Sequence, residues 1–163
     1  MKALPAAIDR LVEAIVIACF FAIVVVGAAQ IFNRYFLNLS LSWSEEFQRY
    51  GQIWMVFLGI PVAYRRGMHI GMDTLHAMLP QKDRRYYVLV IDLLWMVLAV
   101  ALLIGTFQLM RVLQFQRSPG LGLPMSYVYG GVLGGGFYMA FVGLRRIVAN
   151  LAGNPPGLTY GLD

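Results

Sequence analysis

His69, Asp73 and His76 fall at i, i+4 and i+7, a spacing that on a helix sets three potential zinc ligands along one face. Gly67 and Gly71 interrupt that stretch and weaken the helix the triad would need, so it reads as an interfacial surface and no metal is assigned. Asp92 is the one acid inside an otherwise apolar run, a position that in membranes marks proton or cation routes. Arg84 and Arg85 lie about two turns away, and pairing with that basic edge accounts for Asp92 without an ion pathway. Glu45, Glu46 and Arg49 have the charges to hold a substrate ion, but helix capping and pairing account for them without one, so they read as structural or subunit-contact residues. Ser42, Ser44 and Ser118 have no neighbouring base, so no nucleophile is indicated. Cys19 is the single cysteine, which leaves no disulfide or thiol pair within the chain. Neither histidine lies in an apolar run, as a b-type haem would require. The pattern argues against an enzyme or a cofactor.

The elements that must position these residues are membrane helices. Hydrophobic residues make up 60% of the 163 and charged ones 13%, about half the charge of an ordinary soluble domain; mean hydropathy is +0.67. Charge-poor stretches cover 14–33, 50–64, 93–110 and 118–144. Three reach the roughly 18 residues of a spanning candidate, and the second does so if Trp43–Arg49 is helical and continuous with it. The expected fold is all-α and integral to the membrane. Four transmembrane helices are expected, at about 7–33, 43–64, 84–112 and 124–148, with a short interfacial amphipathic helix within 68–79. Residues 1–153 form one domain and 154–163 a flexible tail. The first apolar run exceeds a signal peptide's core, and Glu13 sits where such a signal is basic, so it reads as a retained helix.

Net charge is +5, but its distribution is a topology signal and not a nucleic-acid footprint. With four spans, one side holds Lys2, Arg10, Arg65, Arg66, Lys82, Arg84, Arg85, Arg145 and Arg146, and the other Arg34, Arg49, Arg111 and Arg117. That bias puts both termini in the cytoplasm. Ser42-x-x-Glu45 has the form of a capping box, and Glu45 precedes Arg49 by four residues, the favourable order for an ion pair. Charges inside lipid cost about 2.5–3.5 kcal/mol each at a helix centre, so this belt belongs at an interface or against protein. Gly67 suits the residue just past the second helix and Pro124 the first position of the fourth. Gln108, Arg111, Gln114 and Arg117 recur every three residues, which would carry the third helix to Arg117, beyond the bilayer. Gly130, Gly131, Gly134, Gly135 and Gly136 offer close helix approach.

From Asn33 to Pro80 the residues are no longer generic. Asn33-Arg34-Tyr35, Trp43-Ser44-Glu45-Glu46 with Arg49-Tyr50, Trp54, Phe57-Leu58-Gly59, Arg65-x-Gly67-x-His69-Ile70, Asp73, Leu75 and Leu79-Pro80 resemble the small, Q-type membrane subunit of tripartite ATP-independent periplasmic (TRAP) transporters. The set covers about fifty residues; the fourth helix matches only loosely. The resemblance implies a bacterial inner-membrane system. In it a periplasmic binding protein transiently delivers an organic acid to a large M-type subunit, which moves it with sodium by an elevator motion. The small subunit is implied to be scaffold, with Arg34, Trp43, Glu45, Glu46, Arg49, Trp54, His69 and Asp73 in structural or subunit-contact roles. Arg111, Gln114 and Arg117 would dock the binding protein through its acidic face. Lipids are its other partners. A stand-alone small transporter or channel, hinted at by Asp92 and the glycine row, and a membrane redox protein are the alternatives.

Overall fold

A computed structural model describes residues 3–39, 41–67 and 81–152. The expected interfacial helix with His69, Asp73 and His76, and the tail 154–163, lie outside the described residues. Four helices account for nearly all the rest: α1 (Ala3–Phe36), α2 (Ser42–Arg65), α3 (Gln81–Leu113) and α4 (Met125–Leu151). Among the described residues an isolated bridge between Arg117 and Pro124 is the only β-type pairing. Of the four helices, α1, α3 and α4 are long and apolar enough to cross a membrane. Carrying Glu45, Glu46, Gln48, Arg49 and Gln52, α2 falls short on composition although it has 24 residues.

The helix ends show where local chemistry overrode the sequence pattern. At the start of α2 the capping box does not form: the cap is Leu41, with extended backbone and no side-chain cap bond. Ser42 is already helical, and Ser44 Oγ donates back to the Leu41 carbonyl at 2.7 Å. At the other end Gly67 takes φ +69° and donates to Tyr64 O at 3.1 Å, the left-handed stop its position suggested. Arg117 does not belong to α3, which stops at Leu113. Gln116 N–H closes a tighter turn on Leu113 O, and Gln116 O is taken by Met125 N–H at 2.9 Å. The loop 114–124 is then folded by Ser118 N–H to Leu123 O at 2.8 Å, with Gly122 at φ +66°. Pro124 occupies the cap of α4, one residue before the expected place; lacking an N–H, it leaves no orphan donor at either position.

Helices α1 and α4 flank α2, and α3 packs on the far side of α4, giving a row α1–α2–α4–α3. The glycines make the α4 contacts close. A Cβ on Gly131 would stand 2.6 Å from the Trp54 ring, and one on Gly135 would stand 2.4 Å from Phe57 O, so only hydrogen fits there. Gly136 faces Leu103 of α3 in the same manner. The core threads Val12, Leu58, Tyr64, Ile91, Tyr138 and Val142. Outside it, α1 exposes Phe20, Phe21, Val24 and Val25, and α3 exposes Val90, Leu94, Val97 and Ile104. Bands of that kind suit hydrocarbon or the apolar face of another membrane helix.

Candidate functional site

Two polar systems sit at opposite ends of the row. The proximal end, where α1 and α3 begin and α2 and α4 finish, is ionic. Asp9 accepts from Tyr138 Oη at 2.9 Å, from Arg145 Nη1 at 3.0 Å and from Arg65 Nη1 at 3.2 Å. One turn on, Glu13 pairs with Arg65 and with Arg66 Nη2 at 2.8 Å. Three helices are thereby tied through two carboxylates of α1. Spacing of four places both acids on one α1 face, opposite the arginines that end α2.

Asp92 anchors a second proximal group. Completely buried, it accepts from Arg146 Nε at 2.8 Å and from the Tyr64 hydroxyl. The Arg146 guanidinium lies 4.6 Å from the Tyr64 ring centre, and that ring stacks on Trp95 at 4.1 Å. The expected partner of Asp92, the Arg84–Arg85 edge, is therefore replaced by an α4 arginine. Arg85 instead donates to Asn150 Oδ1 at 3.2 Å and to Leu151 O. Helical position explains the exchange: Asp92 faces α4, where Arg146 can pair without leaving the interior, while Arg85 sits at the helix end. Asp92 Oδ2 and Arg146 Nη2 keep no hydrogen-bond partner among the described residues. The contact is single-pronged, without the fork of a bidentate pair.

The distal end is held mostly by neutral hydrogen bonds. Glu46 does not cap its own helix. It reaches the 114–124 loop, accepting from Gly120 N–H at 2.9 Å and Leu121 N–H at 3.0 Å. Glycine at 120 leaves room for that approach, since a Cβ there would stand 3.1 Å from the carboxylate. Gln48 donates to Gln30 of α1 at 2.6 Å, and Trp54 Nε1 donates to Tyr127 O of α4 at 3.2 Å. Trp43 meets Phe47 edge to face at 6.3 Å. Glu45 and Arg49 are both exposed, and the expected ion pair between them is not among those formed by the described residues. Arg34 lines an open groove with Asn38, Ser42 and Glu45. Arg111 rests over Phe107 at 4.6 Å, while Gln114 and Arg117 are exposed beyond the end of α3.

The sequence reading thus brought the distal residues to one end but missed the proximal network, in which Asp9, Tyr64, Tyr138 and Arg146 are buried. A signal existed: Asp9 and Glu13 stand at the same depth as the Arg65-Arg66 and Arg145-Arg146 pairs. The charge bias treats these arginines only as markers of one membrane side, whereas Arg146 is interior. Among the described residues, no three His, Cys, Asp or Glu side chains gather as a metal site. Carboxylates that each bridge two helices through arginines do architectural work.

Fold and polar groups together define a multi-pass membrane protein built of helices. Against known proteins, the model for the "DctQ component" of tripartite ATP-independent periplasmic transporters matches residues 23–153. The chain belongs to that family and is a TRAP transporter small permease subunit. It is 28% identical over 147 residues to the sialic acid TRAP transporter small permease protein SiaQ of Vibrio cholerae, covering 90% of this chain and 85% of that one. Two much longer proteins also align. One is the sialic acid TRAP transporter permease protein SiaT of Haemophilus influenzae, 34% identical over 48% of this chain and 13% of its own length. The other is the isethionate TRAP transporter permease protein DctMQ of Oleidesulfovibrio alaskensis, 30% identical over 53% of this chain and 14% of its own. In both, a stretch like this one is a small part of a larger permease polypeptide.

Proposed function

We propose that this subunit is a static wall for a separate, large M-type permease subunit in the bacterial inner membrane. That permease carries an organic acid with sodium by an elevator motion, taking it from a periplasmic binding protein. The single observation that carries the reading is the proximal ionic network. Asp9, Glu13 and Asp92 spend their charge on arginines of neighbouring helices, which locks helix to helix and offers no acid to a moving solute. All four helices cross the membrane in this reading. The proximal end, with both termini, faces the cytoplasm, in line with its arginine excess. Residues 1–153 act as one domain.

At the distal, periplasmic end Arg34, Trp43, Glu45, Glu46, Arg49 and Trp54 set the outer boundary of α2 and meet the partner subunit. His69 and Asp73 take a structural role on the cytoplasmic side. Arg111, Gln114 and Arg117 present a basic outer surface to an acidic face of the binding protein. Co-purification with the large permease, followed by sodium-driven uptake in liposomes with and without this chain, tests the reading. Uptake should need the chain; transport by this chain alone would overturn it. Charge reversal at Arg111 and Arg117 should raise the binding-protein concentration needed for half-maximal uptake, more so at low salt. Unchanged kinetics would remove the docking surface.

A further inference from the structure

Polar side chains on the outward face of α2 single out one side of the row. Ser42, Glu45, Arg49 and Gln52 are all exposed and recur at three- and four-residue steps, continued by Val56. Along the helix Arg49 stands about 24 Å, and Gln52 about 20 Å, from Arg65. Arg65 is fixed at the proximal boundary by Asp9 and Glu13. Both residues therefore fall inside a hydrocarbon layer about 30 Å thick. Arg49 has a stem long enough to snorkel to the headgroups, but the amide of Gln52 has not. Lipid cannot satisfy that amide.

The opposite edge is different in kind: α3 turns Leu94, Val97, Ile104 and Phe107 outward, an apolar surface that lipid covers well. Beside the α2 stripe, Phe20 and Val24 of α1 with Gln48, Arg49 and Gln52 line a cleft open to the outside. Gln30 and Gln48 in its wall already bond each other. Glu45 lines the same cleft as Arg49, and Glu46 lies within electrostatic reach of it. That leaves the Gln52 amide as the group to be met from outside the chain.

We infer that the α1–α2 face, centred on Gln52, is the seat of a transmembrane segment of the large permease subunit. That segment offers a hydrogen-bonding side chain to Gln52, while the α3 edge faces lipid. The inference rests on the partnership proposed above. The DctMQ relative, in which a stretch like this one is 14% of one long permease polypeptide, supports that choice of occupant over a second copy of this chain.

The test uses the full small chain co-expressed with its large permease, with photoactivatable benzoylphenylalanine at Gln52 or at Leu94. Irradiation should give an adduct with the large permease from position 52, about tenfold more than from 94. In parallel, Gln52→Trp should lower co-purification about tenfold while the isolated chain stays monodisperse, and Leu94→Trp should leave it unchanged. Adducts from position 94 alone, adducts from 52 only to lipid or to a second copy of the small chain, or full co-purification of Gln52→Trp would overturn it. If the wild-type chain fails to co-purify with the large permease at all, the partnership itself falls. A wild-type complex with no adduct from position 52 sinks only the assignment of the face.

Discussion

Removing one partner of the Asp92–Arg146 pair should cost far more than removing both. Asp92 is fully buried and Arg146 6% exposed, with a single 2.8 Å contact between them. Stranding a buried charge costs about 3–5 kcal/mol. Here the unsatisfied Asp92 Oδ2 and Arg146 Nη2 mean that the native pair is imperfectly compensated, which places the loss near the lower bound, about 3 kcal/mol or roughly a hundredfold in the folding equilibrium. Arg146→Met strands the Asp92 carboxylate, with the Tyr64 hydroxyl as its remaining donor. Asp92→Leu strands the guanidinium over the Tyr64 ring. Asp92→Leu with Arg146→Met removes both charges and should return to within about 1 kcal/mol of the parent. Reversible unfolding in mixed micelles, followed by tryptophan fluorescence, reads the cycle, because Trp95 stacks on Tyr64. Singles that each lose about 3 kcal/mol and a double within about 1 kcal/mol of the parent give a coupling energy of about 5 kcal/mol. Strictly additive single and double variants, or singles losing less than about 1 kcal/mol, would refute the reasoning.

Gly135→Ala should destabilise the α2–α4 contact by about 1–3 kcal/mol, since the methyl meets the Phe57 backbone and must push the helices apart. Gly134→Ala, whose nearest neighbour would be Leu58 at 3.8 Å, should be tolerated; thermal stability in detergent compares the two. Glu46→Ala should speed amide hydrogen exchange at Gly120 and Leu121, which lose their acceptor; Glu46→Gln, keeping one oxygen, should fall between. Trp54→Phe should cost about 1 kcal/mol through loss of the Nε1 hydrogen bond to Tyr127 O, and Trp54→Ala considerably more because the ring fills the gap over Gly131.

Legibility in the sequence followed the range of the physics involved. Apolar runs and their lengths are local, so four helices emerged near their true positions, as did the Gly67 stop. Close approach through the α4 glycines was readable from composition, though not which ring or carbonyl each would face. Capping failed as a reading because Ser42 and Glu45 say nothing of where Leu41 turns, and Glu46 bonds a loop more than seventy positions away. Asp92 was recognised as a residue needing a cation, but the choice between Arg85 and Arg146 depends on how α3 is rotated against α4. Rotation is set by packing across the whole helix, which no short window contains.

Fastening is unequal along the row. Ion pairs bind the proximal end, whereas the distal end rests chiefly on bonds among amides, an indole and one carboxylate clasp. Mechanically this is a cantilever, rooted in one leaflet and compliant in the other. A neighbour pressing on the free tips would meet a spring, while one pressing near the root would meet a rigid post.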